Sequence, residues 1–183
     1  MIARVILLNG VSSSGKTTLA NALQSRSEKT LLHVALDTFI SMLPDGRENG
    51  DSWFPVQQIE CDGIALPRIT NGPQGDQLLK AMRAFVAELV SQGINVVVDD
   101  VGDATVIEDY RTSLTDADLL VVKVDAPLQV TAERETARGD RLIGLAREQA
   151  IHLHDGITYD LELDTGDLDP AECAGRILAR IES

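Results

Sequence analysis

Short apolar runs recur along the chain at 5–8, 31–36, 94–98 and 119–124, each closed by glycine or polar residues. Continuous Val/Ile/Leu runs of this kind predict strands buried on both faces of a parallel sheet. A fifth segment, 159–165, alternates apolar and acidic residues, which predicts an edge strand with one wet face. Helical spacing lies between them. In 18–26 it puts Leu19, Ala22 and Leu23 on one face, and in 76–92 it aligns Leu79, Met82, Phe85, Val86, Leu89 and Val90 before Gly93 stops the pattern. Segments 103–114 and 128–137 also read as helices. The last helix has Asp169 as N-cap, Pro170 at its first position and Glu172 in the capping-box place, ahead of Ala174, Ile177, Leu178 and Ile181. Strand and helix in alternation predict a doubly wound α/β sheet, with 1–183 as a single domain. Segment 44–73 fits neither period. It is rich in Gly, Pro, Asp and Asn, carries Trp53 and Phe54, and reads as a long irregular insertion with a functional role.

Charge narrows the choice of partner. Against 16 basic side chains stand 29 acidic ones, a net charge of -13. Such a surface opposes nucleic acid and anionic membranes and favours a small-molecule partner. Aromatic residues make up 3% of the chain, so the core is expected to be aliphatic. Cys61 and Cys173 lack the paired spacing of a zinc site and read as free thiols in a reducing, cytoplasmic setting. The apolar start of the chain is too short for a signal peptide or a membrane span. A homo-oligomer is left open.

The densest chemical signal is GVSSSGKTT, which begins at Gly10 directly behind the first apolar run. It satisfies G-x-x-x-x-G-K-[ST], the Walker A pattern. Glycines let successive backbone N–H groups turn inward onto phosphate oxygens, and the following helix adds the positive end of its dipole. Gly10, Ser12, Ser13, Ser14, Gly15, Lys16, Thr17 and Thr18 are therefore expected to cradle a nucleoside triphosphate. Lys16 would reach the β- and γ-phosphates and Thr17 would ligate Mg²⁺. A nucleophilic serine in this stretch would need a histidine partner, and none of the three histidines is suitably placed.

Downstream, the predicted strand 94–98 runs into Asp99 and Asp100, where an α/β sheet exposes its ligand crevice. Either carboxylate could serve Mg²⁺, and either could instead cap a turn. Asp37 follows the second predicted strand and reads as the group that orients an acceptor hydroxyl and receives its proton, or as a helix N-cap. Arg134, Arg138 and Arg141 fall within eight positions of an acidic chain. They suit a mobile cover that neutralises transferred phosphoryl charge or stacks on a purine, or a solvated helix face paired with Glu133 and Glu135. Tyr110, His152 and His154 suggest little, since histidines two apart on a helix face different ways.

The blocks LLNGVSSSGKTT, ALDTF, NVVVDDV, ERETARGDR and HLHDGITYDLELDT together resemble the chloramphenicol phosphotransferase family, across nearly the whole chain. The resemblance implies a nucleotide-kinase-like P-loop NTPase fold, a three-layer sandwich around a central five-stranded parallel sheet. It also implies ATP and Mg²⁺ as cofactors and transfer of the γ-phosphoryl group to a hydroxyl of a small molecule, an antibiotic-resistance activity. The family's phosphate loop falls on Gly10, Gly15, Lys16 and Thr17, its catalytic aspartate on Asp37, and its arginine cover on Arg134, Arg138 and Arg141, in a lid of about 134–147. The match weakens across 43–72. That insertion, about 43–73, is expected to line the acceptor pocket, with Asp37, Thr38, Phe39, Met42, Trp53, Phe54 and Val101 as its walls. Chloramphenicol or a related hydroxyl compound is the expected acceptor. Two rivals remain: a nucleotide-binding regulatory module that uses 44–73 as a partner surface, and a polynucleotide 5′-hydroxyl kinase, which the acidic charge disfavours.

Overall fold

The computed structural model describes residues 2–139 and 141–182; Asp140, within the arginine segment, and the terminal Met1 and Ser183 lie outside the described residues. In chain order the elements are β1 (Arg4–Asn9), α1 (Lys16–Arg26), β2 (Leu32–Ala35), α2 (Leu36–Ile40), β3 (Val56–Cys61), β4 (Ile64–Ile69) and α3 (Pro73–Ser91). Then follow β5 (Val96–Asp100), α4 (Ala104–Ser113), β6 (Asp118–Asp125), α5 (Leu128–Arg138), α6 (Leu145–Gln149), β7 (Leu161–Asp164) and α7 (Pro170–Glu182). Five strands form one sheet in the order β2-β5-β1-β6-β7. Every neighbouring pair in it is parallel.

The apolar runs are continuous because both faces of this sheet are covered. Along β1, Ile6 and Leu8 join α1 and α7 through Leu19, Leu23, Ala174 and Ile177. Val5 and Leu7 point the other way, onto Met82 and Val86 of α3 and Ile107 and Tyr110 of α4. The helices that follow neighbouring strands β1 and β5 thus lie on opposite faces of the sheet. Their departing loops separate and leave a crevice at the carboxyl ends of those strands. The edge strand β7 keeps Leu163 buried and Glu162 exposed, as its alternation requires.

Segment 44–73 is not irregular throughout. Its second half is an antiparallel hairpin of β3 and β4, with Cys61 paired to Ile64 across Asp62 and Gly63. Both turn residues have positive φ, 51° and 73°, as a two-residue primed turn needs, and Asp-Gly is a strong sequence signal for it. Exposed Gln57, Gln58 and Glu60 and the proline at Pro67 obscured the strand period. Pro67 is tolerated because β4 pairs on one side only. Two further short helices, α2 and α6, were too brief for any periodicity to reveal. Among the described residues no helix is long and apolar enough to cross a membrane.

Leu7 has no exposure and sits at the centre of the sheet. Leu7→Ala is expected to cost about 2–5 kcal/mol, read as a lowered urea midpoint with an unchanged m-value. A loss under about 1 kcal/mol would mean that the core can close over the gap.

Candidate active site

The loop between β1 and α1 is shaped by close approach. A Cβ added at Gly10 would come within 2.1 Å of the Val124 carbonyl oxygen, so a side chain there would push the loop off β6. Ser13 at φ 59° and Gly15 at φ 99° are both left-handed, turning the chain sharply into α1. Burial encloses the hydroxyls of Ser12, Ser13 and Ser14 without a hydrogen-bond partner. Lys16 Nζ donates to the carbonyls of Gly10 and Val11, each at 2.9 Å, and lies 3.9 Å from Asp99 Oδ1. Burial lowers the pKa of this ammonium, with Asp99, Asp37 and Asp100 opposing the shift. Orphaned hydroxyls and a desolvated cation at the N-terminus of α1 suit a polyanionic group.

Asp99 and Asp100 lie inside β5, level with Leu8 and Asn9, and the side chains around them tell them apart. Thr17 Oγ1 donates to Asp99 Oδ2 at 2.6 Å, and His33 Nε2 stands 3.8 Å from the same oxygen. Burial pushes the Asp99 carboxyl up, but His33, Lys16 and Thr17 together hold it below its ordinary range. Asp100 instead accepts from Tyr110 Oη at 2.8 Å and from the Val101 N–H at 2.7 Å. Its burial dominates and raises its pKa; burial likewise raises that of the Tyr110 phenol. Of the two carboxylates, Asp99 is the one joined to the phosphate loop. No group of three or more His, Cys, Asp or Glu side chains gathers as a metal cage among the described residues.

Asp37 stands in the first turn of α2, whose N-cap is Ala35. It is therefore no cap, and its carboxylate forms an ion pair with Arg141. The other two arginines diverge. Arg134 donates to Thr165 Oγ1 and to the Thr165 carbonyl, both at 2.9 Å, and to the Ser13 carbonyl at 3.3 Å. Thr165 Oγ1 in turn donates to the Ser14 carbonyl at 2.6 Å, so Arg134 braces the phosphate loop from behind. Arg138 is exposed beside the cleft at the end of α5. Glu135 is not a surface partner for these cations. It is 1% exposed and accepts from the Gly144 and Ala146 N–H groups at 2.9 and 2.8 Å, fixing the start of α6.

These groups share one cleft of about 1160 Å³ that runs from the phosphate loop to the hairpin. Of the expected pocket walls, Asp37, Phe54 and Val101 line it. The other four do not, which corrects the expectation. Phe39 turns inward from α2, its ring centroid 6.0 Å from that of Phe85. Thr38 is exposed and Met42 is 64% exposed. Trp53 faces a separate shallow depression with Arg47 and Gln74, because its carbonyl is tied to the Gly72 N–H at 2.6 Å, under the start of α3.

Several lining residues escaped the sequence reading. Gln149 Oε1 accepts the Ser12 N–H at 2.6 Å, linking α6 to the phosphate loop. Arg68 on β4 pairs with Glu148 on α6, and Arg83 on α3 pairs with Asp109 at 3.2 Å. None belongs to a local motif; only the assembled fold brings them to the cleft. Of the residues that had suggested little, Tyr110 holds Asp100. His154 Nδ1 lies 2.6 Å from Tyr159 Oη, and exposed His152 lies 3.1 Å from Asp155.

The raised pKa of Asp100 gives a test with a definite sign. A carboxyl whose folded pKa exceeds its unfolded value favours the fold at low pH and loses that contribution as pH rises through the folded pKa. Asp100→Asn keeps an oxygen for Tyr110 and cannot ionise. Urea unfolding at about pH 4 and about pH 7.5 is expected to shift the stability difference toward the variant at the higher pH. An unchanged difference, or a shift toward wild type, would contradict the burial account.

With this geometry in place, comparison with known proteins identifies the lineage. A family model described as "Chloramphenicol phosphotransferase-like protein" matches residues 3–182. Relatives from Mycobacterium tuberculosis strains ATCC 25618 / H37Rv and CDC 1551 / Oshkosh are named "Putative O-phosphotransferase Rv2636" and "Putative O-phosphotransferase MT2714". Each is 31% identical over 168 residues, covering 88% of this chain and 75% of the relative. Among solved structures, a sugar kinase from Janibacter sp. HTCC2649 superposes with a TM-score of 0.70 at 19% identity, covering 98% of this chain and 95% of the other. The Mycobacterium tuberculosis APS kinase CysC, solved with AMPPNP and APS, gives 0.68 at 16% identity, covering 100% and 99%. At such identities the likeness shows the fold. The chain belongs to the chloramphenicol phosphotransferase-like family, a kinase- or phosphotransferase-type enzyme on a P-loop fold.

Proposed function

We propose that the protein is an ATP-dependent, Mg²⁺-assisted O-phosphotransferase acting on a hydroxyl of a small molecule of about the size of chloramphenicol. The observation that carries this reading is a shared cleft: Asp37 lines the same cavity as Lys16 and Thr17. A carboxylate at the mouth of a phosphate cradle is what transfer to an alcohol requires and what simple nucleotide sensing does not.

Bound Mg·ATP would supply the γ-phosphoryl group and a metal ion that neutralises charge building on its oxygens. The Ser12, Ser13 and Ser14 hydroxyls and the loop N–H groups would bind the phosphates. Lys16 would give up its two carbonyl partners for phosphate oxygens, a stronger charge-assisted contact. Thr17 and Asp99 form the donor set suited to Mg²⁺, which takes one or two protein oxygens and leaves the rest to phosphates and water. Asp37 would orient the acceptor hydroxyl and receive its proton, exchanging Arg141 for that hydroxyl. Released from Asp37, Arg141, with Arg138, would face the transferring group and exclude water.

Asp37→Asn keeps the shape and removes the base. Turnover is expected to fall by about 10²–10⁴ while nucleotide affinity, measured by calorimetry, stays within about twofold. Turnover near wild type would remove Asp37 from the mechanism. Failure of the wild-type protein to phosphorylate any hydroxyl compound while binding ATP would favour a nucleotide-sensing role.

A further inference from the structure

The acceptor half of the cleft is built differently from a pocket for a flat aromatic molecule. One face of α3 presents Asp76, Leu79 and Arg83 to it, and β4 presents Arg68 from the facing side. Glu48 and Asn49 line it from the segment ahead of the hairpin. With Phe39 and Trp53 turned elsewhere, Phe54 is the only Phe, Tyr or Trp among the described lining residues.

The two arginines are held in place rather than loosely solvated. The Arg83 side chain is 12% exposed and anchored on Asp109, and that of Arg68 is 38% exposed and anchored on Glu148. A guanidinium carries five N–H donors in a fixed fork, and one carboxylate can use two of them at most. Each arginine therefore keeps donors for the cleft. Carboxylate acceptors at Glu48 and Asp76 and the Asn49 amide line the same cleft. An aromatic acceptor would cover these groups without replacing the water they lose. Neighbouring hydroxyls, each able to donate and accept, would replace it. Phe54 and Leu79, with the aliphatic Ile40, Ile69 and Val106, supply apolar lining for the C–H face of a ring.

We infer that the acceptor is a polyhydroxylated ring compound, of the sugar or cyclitol class, held by Asp76 and Arg83 with one hydroxyl directed at Asp37. This rests on the phosphotransferase reading above and names its substrate class. Transfer would break the bond between the γ-phosphorus and its bridging oxygen and form a bond from that phosphorus to the acceptor oxygen. ADP would leave, and the hydroxyl proton would pass to Asp37.

The test gives the full chain with Mg·ATP two acceptor panels at equal concentration: sugars and cyclitols in one, chloramphenicol and other aromatic alcohols in the other. Phosphate gain is read by mass, and ATP binding is measured separately. Transfer is expected for members of the first panel alone. Asp76→Asn, an exposed position that tolerates change, should then raise the acceptor KM about tenfold with kcat within about twofold. Arg83→Lys, which keeps the charge and loses the fork, should do the same. Transfer to aromatic alcohols alone would overturn the substrate class and leave the phosphotransferase reading standing. An unchanged KM in both variants would overturn the assignment of Asp76 and Arg83. No transfer from either panel by protein that binds ATP would overturn both readings.

Discussion

A single ammonium drawn out of water organises the active end of this molecule. Lys16 is 7% exposed and rests on two carbonyls of its own loop. A buried cation is expensive unless it is paired and hydrogen-bonded, and the surrounding architecture meets that cost. Strand β1, with both its faces covered, delivers the loop to a fixed point. The near contact of Gly10 with the Val124 carbonyl seats it, and Asp99 on the neighbouring strand balances its charge. Behind the loop, Arg134 and Thr165 hold the carbonyls of Ser13 and Ser14. The loop is thus braced from β6, from the segment after β7 and from α5 before any ligand arrives.

The order of strands explains why chemically distinct groups meet there. Placing β5 between β1 and β2 brings Thr17, Asp99 and Asp37 to one sheet edge although they are far apart in sequence. Asn9 ties the loops after β1 and β5 together: its amide donates to the Gly102 carbonyl at 2.8 Å and its oxygen accepts the Gly102 N–H at 2.8 Å. The segment that follows α5 is tied in as well. Glu135 sets the start of α6, Gln149 reaches the phosphate loop, and Arg68 joins α6 to the hairpin. The arginine segment is thus linked by direct contacts to both the phosphate-loop and the hairpin ends of the cleft.

Much of this was legible in the chain because it is local. The four apolar runs and the edge segment each overlap one of the five sheet strands, and Asp103 and Asp169 cap their helices through the Thr105, Val106 and Glu172 N–H groups. The phosphate loop was readable for the same reason, since its geometry needs particular residues at fixed spacing. What local patterns could not carry was direction. Phe39 and Trp53 are large and apolar in a segment near the site, yet one packs, partly buried, against the edge of the core beside Phe85 and the other faces a separate depression next to the start of α3. Asp99 and Asp100 are adjacent and identical, and neighbours from other elements separate them: Thr17, His33 and Lys16 around one, Tyr110 on the other. The hairpin was missed although Asp-Gly announced its turn, because its polar outer residues broke the expected alternation.

On the proposed function, the buried Lys16 ammonium is held ready for a nucleoside triphosphate. The most direct test is calorimetric titration of a non-hydrolysable Mg·ATP analogue into the wild-type protein and into Lys16→Met, which keeps the length and loses the charge. A lost charge-assisted contact of about 1.5–3 kcal/mol predicts affinity at least about tenfold weaker in the variant, with the fold intact by circular dichroism. Equal affinity in the two proteins would mean that the ammonium does not contact the bound phosphates.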